Sequence, residues 1–499
     1  MNAWARTTLW MTVFGWGILT SLVVFLETRS PGTDIFLFKE AGANLALKGK
    51  FVASNINNLP PDTELLYAYY PPVYSYAFGV WSSLCGLGVK QSLLFDSLIR
   101  GLRTLLLVLL VFPSLRRALE VKSRTTWLIP VVLLLFSLVS SDNDRPDELA
   151  LVLGLLSWLL IEKETLWRLS GPFLGLTAAT SPTAALFFAT GITLKCAVPN
   201  FMAWRLTATA FTSLAVFVGC VAPVLLSDNE AYARFSNQTS ISTFPYALPF
   251  RDGGLLDFYY SFSKALSRSL QIGWRFIWCI GFLTLLLFFD RKSWLKRRGP
   301  SWRPEAWLGL FFVPVSLVVW SLQPYYLWFS CVVLMGVAIR LWNGQRMLPN
   351  LALSVVALLP LVFTEMKSGL NALERLSTLP LDSIRAKVLS HVGPSDRMAV
   401  SHDQFFTFRS YREVADISFV CPYLERFEFV YTTRVLSSRR TVGESIPIPC
   451  EKRQACFSAV ADVTSKKVFH IFGWETPYYV RDYGGVLYRR TSCHEPKLR

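Results

Sequence analysis

Long runs of apolar residues without a charged side chain limit most strongly what this chain can fold into. The first run extends from Thr7 to Leu26, and others follow up to about residue 365. A run of about 20 apolar residues can cross a bilayer as a helix, which satisfies its own backbone hydrogen bonds. Only 17% of the 499 residues are charged, against about 25% in soluble domains. The sequence therefore predicts a polytopic α-helical membrane protein. No small-residue cleavage site follows Leu26, so the first helix is predicted to be retained.

Basic residues between these runs predict the topology. Much of the net charge of +16 lies in short loops, which marks their cytoplasmic side and argues against nucleic acid as a partner. With the N-terminus cytoplasmic, the inner loops are 116–124, 163–168, 195–205, 290–304 and 340–346. The spans after the first helix are then 92–115, 125–141, 149–161, 169–181, 182–194, 206–227, 271–289, 306–322, 325–339 and 347–364. The chain is predicted to cross the inner membrane about eleven times, which leaves its C-terminal end in the periplasm or outside.

Two assignments in this topology depend on short segments. The apolar stretch from Pro72 to Gly88 is interpreted as a helix on the outer surface, and the stretch 169–194 is split at Ser181-Pro182 into two helices. Reversing both assignments keeps the number of crossings but moves the basic loop 116–124 outside, against the positive-inside rule. The first topology is therefore preferred.

The composition becomes ordinary after residue 365. We predict a transmembrane domain at 1–365, with an outer loop at 28–91, and a small extracytoplasmic α+β domain at 366–499. Strand-like alternation occurs at 397–401, 429–435 and 467–472, with a helical stretch between the first two and a hairpin around Asp482 to Gly485.

The tail also contains an even number of cysteines in a compartment that permits disulfides: Cys421, Cys450, Cys456 and Cys493. Their spacing fits no standard zinc site, so we predict disulfides. Three pairings remain open.

Carboxylates are the candidates for proton transfer in the membrane domain, since all four histidines lie in the tail. Asp34 is predicted at the outer boundary, and a helix-like segment from Phe36 to Lys48 follows it and ends at Gly49. Either Thr33 or Asp34 simply caps this helix, or Asp34 acts as a base. Tyr69-Tyr70-Pro71-Pro72 follows in the same loop; these tyrosines either line a substrate cavity or belong to an interfacial aromatic belt.

This order of acid, amphipathic helix, glycine and Tyr-Pro-Pro resembles the membrane glycosyltransferases of the GT-C fold. Its motifs are concentrated in residues 28–80 and resemble most the bacterial polyprenol-phosphomannose-dependent mannosyltransferases. The resemblance implies an inverting glycosyltransferase that uses a polyprenyl-phosphate sugar, with Asp34 as its catalytic base. The Gly-Gln pair common in the second outer loop of that branch is missing here, which leaves the sugar open.

The second outer turn, from Ser141 to Glu148, matches the family's habit of placing acids there. Asp142, Asp144 and Asp147 are candidates for orienting the acceptor or for holding a divalent cation, Mg²⁺ or Mn²⁺, through carboxylate oxygens. No cofactor is assigned firmly. The alternative is a solvated turn in which Asp147 or Glu148 begins the next helix, where the helix dipole favours negative charge.

Outward-facing cations would suit a lipid phosphate. The candidates are Arg145, Arg251, Lys264, Arg268 and Arg275. Each could instead anchor its loop to lipid headgroups. Tyr325 and Tyr326 are candidates for the same cavity or for the aromatic belt.

Two rival functions remain. A transporter or flippase of lipid-linked sugars would carry charged groups inside its spans. The predicted spans of this chain are mostly apolar, which argues against transport. A non-catalytic subunit of an envelope assembly is the other rival. For an enzyme, the predicted partners are membrane lipids, a polyprenyl-phosphate sugar and a lipid or glycan acceptor.

Overall fold

The structure of the chain is a computed structural model. It describes residues 38–53, 64–68, 70–120, 146–161, 163–197, 203–227, 381–401, 404–409, 414–433, 456–463 and 484–491, with short pieces at 230–233, 470–471 and 474–475 and single residues at 7, 11, 14, 15, 18 and 235. The chain divides into two compact units. The first comprises Met1–Leu22, Ala68–Tyr74 and Leu98–Lys367, and the second comprises Val23–Tyr67, Ser75–Ser97 and Ser368–Arg499. The second unit therefore contains the tail together with most of the predicted outer loop, and the predicted boundary at 365 remains a prediction.

Helices occupy the predicted positions wherever the first half of the chain is described. In chain order they are α1 (Glu40–Lys48), α2 (Val73–Cys85), α3 (Val89–Glu120), α4 (Asp147–Leu160), α5 (Ser170–Ala178), α6 (Pro182–Ala197) and α7 (Ala203–Leu225). A helix after Pro72 and the break at Ser181-Pro182 are thus confirmed, while the location of the first helix at the outer membrane surface remains a prediction. Among the described residues, Trp204–Leu225 is the one helix that is long and apolar enough to cross a membrane, with a mean hydropathy of 2.0. The number of crossings remains a prediction.

Glycines let α5 approach α7 closely. Gly171 and Gly175 are one turn apart on α5, as in the small-xxx-small pattern of membrane helix pairs. A Cβ at Gly171 would lie 1.8 Å from Thr212 Oγ1, and one at Gly175 would lie 2.5 Å from the Ser213 carbonyl oxygen. Both distances are shorter than a van der Waals contact, so these positions require glycine at this helix separation.

The helices of the first unit have two distinguishable ends. At one end Asp147 begins α4 and contacts Ser181, which precedes α6. At the other end Trp167 packs against Trp204 with 4.6 Å between ring centroids. The predicted topology places the turns at 141–148 and 181–182 on one membrane face and the loops 163–168 and 195–205 on the other. The two ends agree with this grouping.

In the second unit, α1 packs against α2. The helix α1 ends at Gly49, whose left-handed φ of 68° allows its N–H to bond to the Leu45 carbonyl. This confirms the predicted C-cap. A Cβ at Gly42 would lie 2.3 Å from the Ser75 carbonyl oxygen, so α1 and α2 touch through their backbones. A short antiparallel pair, β1 (Val52–Ala53) and β2 (Leu65–Leu66), follows α1.

The tail forms a five-stranded mixed sheet. Its helices are α8 (Leu381–Leu389), α9 (Phe405–Phe408) and α10 (Ile417–Val420), and its strands are β3 (Met398–Val400), β4 (Val414–Asp416), β5 (Phe429–Thr433), β6 (Phe457–Asp462), β7 (His470–Ile471), β8 (Trp474–Glu475) and β9 (Gly485–Arg490). The strand order is β4-β3-β5-β9-β6, and β3 is parallel to both of its neighbours. The predicted strands at 397–401 and 429–435 and the intervening helical stretch are confirmed.

The hairpin predicted around Asp482 to Gly485 is wrong. Strand β9 begins at Gly485 and lies between β5 and β6, antiparallel to both, so neither of its edges is open to a hairpin partner. The hairpin was predicted from the local glycine pair Gly484-Gly485. Burial instead favours the central position of β9 in the sheet, because Val486 and Tyr488 pack into the tail's hydrophobic core. Strand β7 lies within the strand predicted at 467–472, and it pairs antiparallel with β8, which lies just beyond that segment.

The two tail cysteines in the described part of the chain, Cys421 and Cys456, are both disulfide-bonded. They pack against the core that contains Val430 and Tyr488. This confirms disulfides for these two positions. Cys450 and Cys493 lie outside the described residues.

Candidate functional site

Ser181 forms hydrogen bonds to the first residues of two helices, α4 and α6, in the first unit. Its Oγ accepts the N–H of Ala184 at 3.5 Å, and Pro182 occupies the first helical position, as is typical of a helix N-terminus. Ser181 Oγ also donates to Asp147 Oδ1 at 3.3 Å. The serine therefore links the start of α6 to the start of α4.

The Tyr-Pro-Pro segment reaches the same turn. The N–H of Val73, directly after Pro72, donates to the Ala179 carbonyl at 3.1 Å. Ala179 is two positions before Ser181, which holds Asp147. The structure thus brings the Tyr-Pro-Pro segment near Asp147, the part of the second outer turn that is described. Tyr70 is partly buried at the beginning of this segment.

A buried ionic cluster lies beside Asp147 in sequence. Arg103 Nη1 donates to Glu148 Oε1 at 2.6 Å and to Oε2 at 2.7 Å. Arg100 Nε lies 3.9 Å from Glu148 Oε1. The arginine side chains are 0% and 2% exposed, and that of Glu148 is 9% exposed. One carboxylate is therefore shared by two guanidinium groups one helical turn apart on α3.

Sequence reasoning did not single out Arg100 and Arg103 as site residues. Both fall within the predicted span 92–115, so this span, although mostly apolar, contains buried charged side chains that the sequence analysis did not consider. An arginine at membrane depth requires a partner of opposite charge. The two arginines within a predicted span were therefore the sequence signal for a buried ion pair. Asp147 and Glu148 do occupy the first turn of α4, as the helix-start interpretation predicted. Burial of both carboxylates goes beyond that interpretation of a solvated turn.

The second unit contains another buried polar group at the predicted outer loop. Lys39 Nζ donates to Asp96 Oδ2 at 2.7 Å and to Ser92 Oγ at 2.8 Å. The lysine side chain is fully buried and also lies over the rings of Phe78 and Phe95.

The tail contacts α1 in the same unit. Arg409 Nη2 donates to Asn44 Oδ1 at 2.6 Å, and Asn44 Nδ2 donates to the Val52 carbonyl at 2.8 Å. The rings of Phe406 and Phe78 lie 5.5 Å apart. Residues 365 positions apart in the chain are thus joined by a buried hydrogen bond.

The surface of this unit carries a shifted carboxyl group. Glu64 Oε1 accepts from Lys48 Nζ at 2.6 Å. This hydrogen bond, with the positive charges of Lys48, Lys50 and Arg409, lowers the pKa of Glu64 below its ordinary value of 4.5.

Most of the candidate site residues lie outside the described part of the chain. These are Asp34, Tyr69, Asp142, Asp144, Arg145, Arg251, Lys264, Arg268, Arg275, Tyr325 and Tyr326. Within the described ranges no group of three or more histidine, cysteine, aspartate or glutamate side chains could hold a metal ion. The roles of these residues therefore remain predictions.

Comparison with known proteins bears on the fold. No protein-family model matches the chain, and no curated protein matches it in sequence. The structure is similar to the crystal structure of ArnT from Cupriavidus metallidurans bound to undecaprenyl phosphate, with a TM-score of 0.53 and 14% sequence identity. The match covers 99% of this chain and 100% of ArnT. The chain therefore has the GT-C fold, the architecture of a multi-pass membrane protein.

Proposed function

We propose that the chain is an inverting glycosyltransferase that moves a sugar from a polyprenyl-phosphate donor to an acceptor hydroxyl at the outer face of the inner membrane. The observation that carries this proposal is the similarity along nearly the whole chain to ArnT, whose structure contains undecaprenyl phosphate. The Tyr-Pro-Pro segment and the start of α4 support it, because they meet at one end of the first unit.

The proposed reaction is a single displacement. The acceptor oxygen forms a bond to the anomeric carbon of the donor sugar, while the bond from that carbon to the phosphate oxygen breaks. The proton of the acceptor hydroxyl passes to the Asp34 carboxylate, and polyprenyl phosphate leaves with the bonding electron pair. Arg145, or a cation of the group at 251–275, stabilises the phosphate as its charge develops.

Asp147 has an acceptor-orienting role in this proposal. Its carboxylate is buried and accepts a hydrogen bond from Ser181, which would fix its orientation. Metal dependence is a separate question, since Mg²⁺ or Mn²⁺ could bind through Asp142 and Asp144 with Asp147 as a third oxygen ligand. Chelation of divalent ions, followed by measurement of transfer, distinguishes the two cases.

The test is transfer by the purified full-length protein in lipid nanodiscs. The donor is a radiolabelled polyprenyl-phosphate sugar from a panel of mannose, glucose, arabinose and an amino sugar, offered with lipid and glycan acceptors. We expect Asp34→Asn to abolish transfer because it removes the base. Asp62→Asn is the matched control, since it changes another aspartate of the same predicted loop. An active Asp34→Asn variant would refute the assigned base, and a wild-type protein inactive with every donor would refute the enzyme.

A transporter of lipid-linked sugars is the second candidate, and the cluster of Arg100, Arg103 and Glu148 favours it. Charged side chains buried within a predicted span are typical of transport pathways. Movement of a fluorescent polyprenyl-phosphate sugar across the bilayer of reconstituted vesicles, without transfer to any acceptor, would support this candidate over the enzyme.

A further inference from the structure

Two arginines lie on a pair of tryptophan rings at one end of the first unit. A turn of 3-10 helix, Trp167–Leu169, leads into α5, and its tryptophan packs edge-to-face against Trp204 of α7 with 4.6 Å between ring centroids. The guanidinium carbon of Arg168 lies 5.9 Å from the centroid of the Trp167 ring. That of Arg205 lies 5.7 Å from Trp167 and 5.5 Å from Trp204. We call these two arginines and two tryptophans the Arg-Trp cluster.

The positive charges of the Arg-Trp cluster have no counterion among the described residues. Arg168 is exposed and Arg205 is partly exposed, and neither side chain forms an ion pair or a hydrogen bond in the part of the chain that the structure describes. Glu164, the acid nearest to Arg168 in sequence, is exposed and is paired with neither arginine within the same ranges. The Nε atom of Arg205 is buried without a hydrogen-bond partner there. A tryptophan ring attracts a guanidinium group but leaves most of its N–H donors unused. The cluster can therefore donate to an anion.

The location of the cluster favours an anion that belongs to the membrane. From Trp204 to Leu225, α7 is long and apolar enough to cross a bilayer, and only 17% of its most apolar stretch is buried inside the protein. The first residues of such a helix lie where the hydrocarbon meets the lipid headgroups. Leu166 and Leu169, which flank the cluster, are 45% and 47% exposed. Exposed leucines next to the two arginines suit the acyl chains of a lipid, whereas a soluble anion would not contact them.

The side chains of the cluster also suit a lipid phosphate chemically. A guanidinium group matches two phosphate oxygens with two parallel N–H donors, and tryptophan is enriched at the membrane interface. Basic groups between membrane helices on the cytoplasmic side bind anionic headgroups. The predicted topology places the loops 163–168 and 195–205, which contain both arginines, on that side.

We propose that the Arg-Trp cluster is a binding site for the phosphate of an anionic phospholipid, whose acyl chains contact Leu166 and Leu169. The site lies at the end of the first unit away from Asp147. It is therefore separate from the proposed transfer site, and the inference does not depend on the proposed function.

The test is a lipid titration of the full-length protein in detergent, with bound lipids counted by native mass spectrometry. Phosphatidylglycerol is compared with phosphatidylcholine of the same acyl chains, because the second lipid carries the same phosphate together with a compensating cation. We expect phosphatidylglycerol to bind the wild-type protein at least about tenfold more tightly. Equal affinities would overturn the proposal, since an aromatic belt alone does not distinguish the two lipids.

The double variant Arg168→Gln with Arg205→Gln removes both charges of the cluster. We expect it to bind phosphatidylglycerol about 30-fold more weakly than the wild type, as follows from two basic residues at an anionic surface. The matched control is Arg426→Gln with Arg489→Gln in the tail. It removes the same charge from two arginines that lie 5.3 and 5.8 Å from aromatic rings, and its affinity should stay within about twofold of the wild type. An unchanged affinity in the cluster variant, or an equal loss in the control, would overturn the site.

A competition experiment separates a lipid site from a site for a soluble anion. Inorganic phosphate and glycerol 3-phosphate carry the charge without acyl chains, and we expect neither to displace phosphatidylglycerol at about a hundredfold excess. Displacement of half of the lipid at that excess would overturn the lipid assignment. Should the double variant not fold, Arg168→Gln alone changes an exposed side chain. We expect about fivefold weaker binding of phosphatidylglycerol in this variant, and an unchanged affinity would again overturn the proposal.

Discussion

Removal of the Glu148 carboxylate should destabilise the first unit strongly. In the structure it accepts two hydrogen bonds from Arg103 at 2.6 and 2.7 Å and lies 3.9 Å from Arg100. Each hydrogen bond to a charged group contributes about 1.5–3 kcal/mol, and loss of one partner of a buried ion pair costs about 3–5 kcal/mol. We expect Glu148→Leu to lower the free energy of unfolding by about 3–5 kcal/mol. Glu148→Gln should lie near the lower end, since its amide oxygen still accepts a hydrogen bond.

The measurement is equilibrium unfolding in mixed micelles, followed by tryptophan fluorescence. The control is Asp382→Asn, which removes an exposed ion pair. The Asp382 carboxylate lies 2.7 Å from Arg385 Nη2, and the aspartate side chain is 65% exposed. An exposed pair contributes about 1 kcal/mol or less. A Glu148→Leu variant as stable as this control would refute the reasoning, because the carboxylate would then be unnecessary to the two arginines. The double variant with Arg103→Met should recover part of the loss, and strict additivity would also count against a direct pair.

Three further perturbations test other parts of the fold. Gly171→Ala should cost about 1–3 kcal/mol by overpacking against α7, whereas Gly219→Ala, where a Cβ meets nothing within 4 Å, should be nearly neutral in the same unfolding assay. Arg409→Met removes the buried donor to Asn44. We expect faster limited proteolysis between the tail and α1 in this variant. An unchanged cleavage rate would show that this contact does not hold the tail and α1 together. Glu64 has a pKa below 4.5 when folded, so its stabilising effect is present above pH 4.5 and is lost as the pH falls through the lowered pKa. Glu64→Gln should therefore flatten the loss of stability with acid, and identical acid profiles would contradict the assigned ion pair.

Several elements could be predicted from the sequence because their signals are local. A glycine after a polar helix end gave the C-cap at Gly49, and Ser181-Pro182 gave the break between α5 and α6. Alternating apolar residues gave the strands at 398–400 and 429–433. Each signal depends on neighbours within a few positions, where backbone sterics and side-chain periodicity act directly.

Other features depended on partners far away in the chain. Strand β4 has only three residues and was missed, because its pairing with β3 is what defines it. The glycine pair at Gly484-Gly485 suggested a hairpin, but the sheet placed β9 between two other strands.

Within the described part of the first half, the sequence by itself determined where helices lie and that Asp147 and Glu148 begin one of them, since backbone hydrogen bonding and the solvation of apolar runs are properties of single segments. Only the tertiary structure decided that Glu148 forms an ion pair with Arg103, 45 positions away, and that Arg409 of the tail donates a hydrogen bond to Asn44 of α1. Burial of a charge requires a partner, but the sequence does not state which one, because the choice is made by how the helices and the tail pack together.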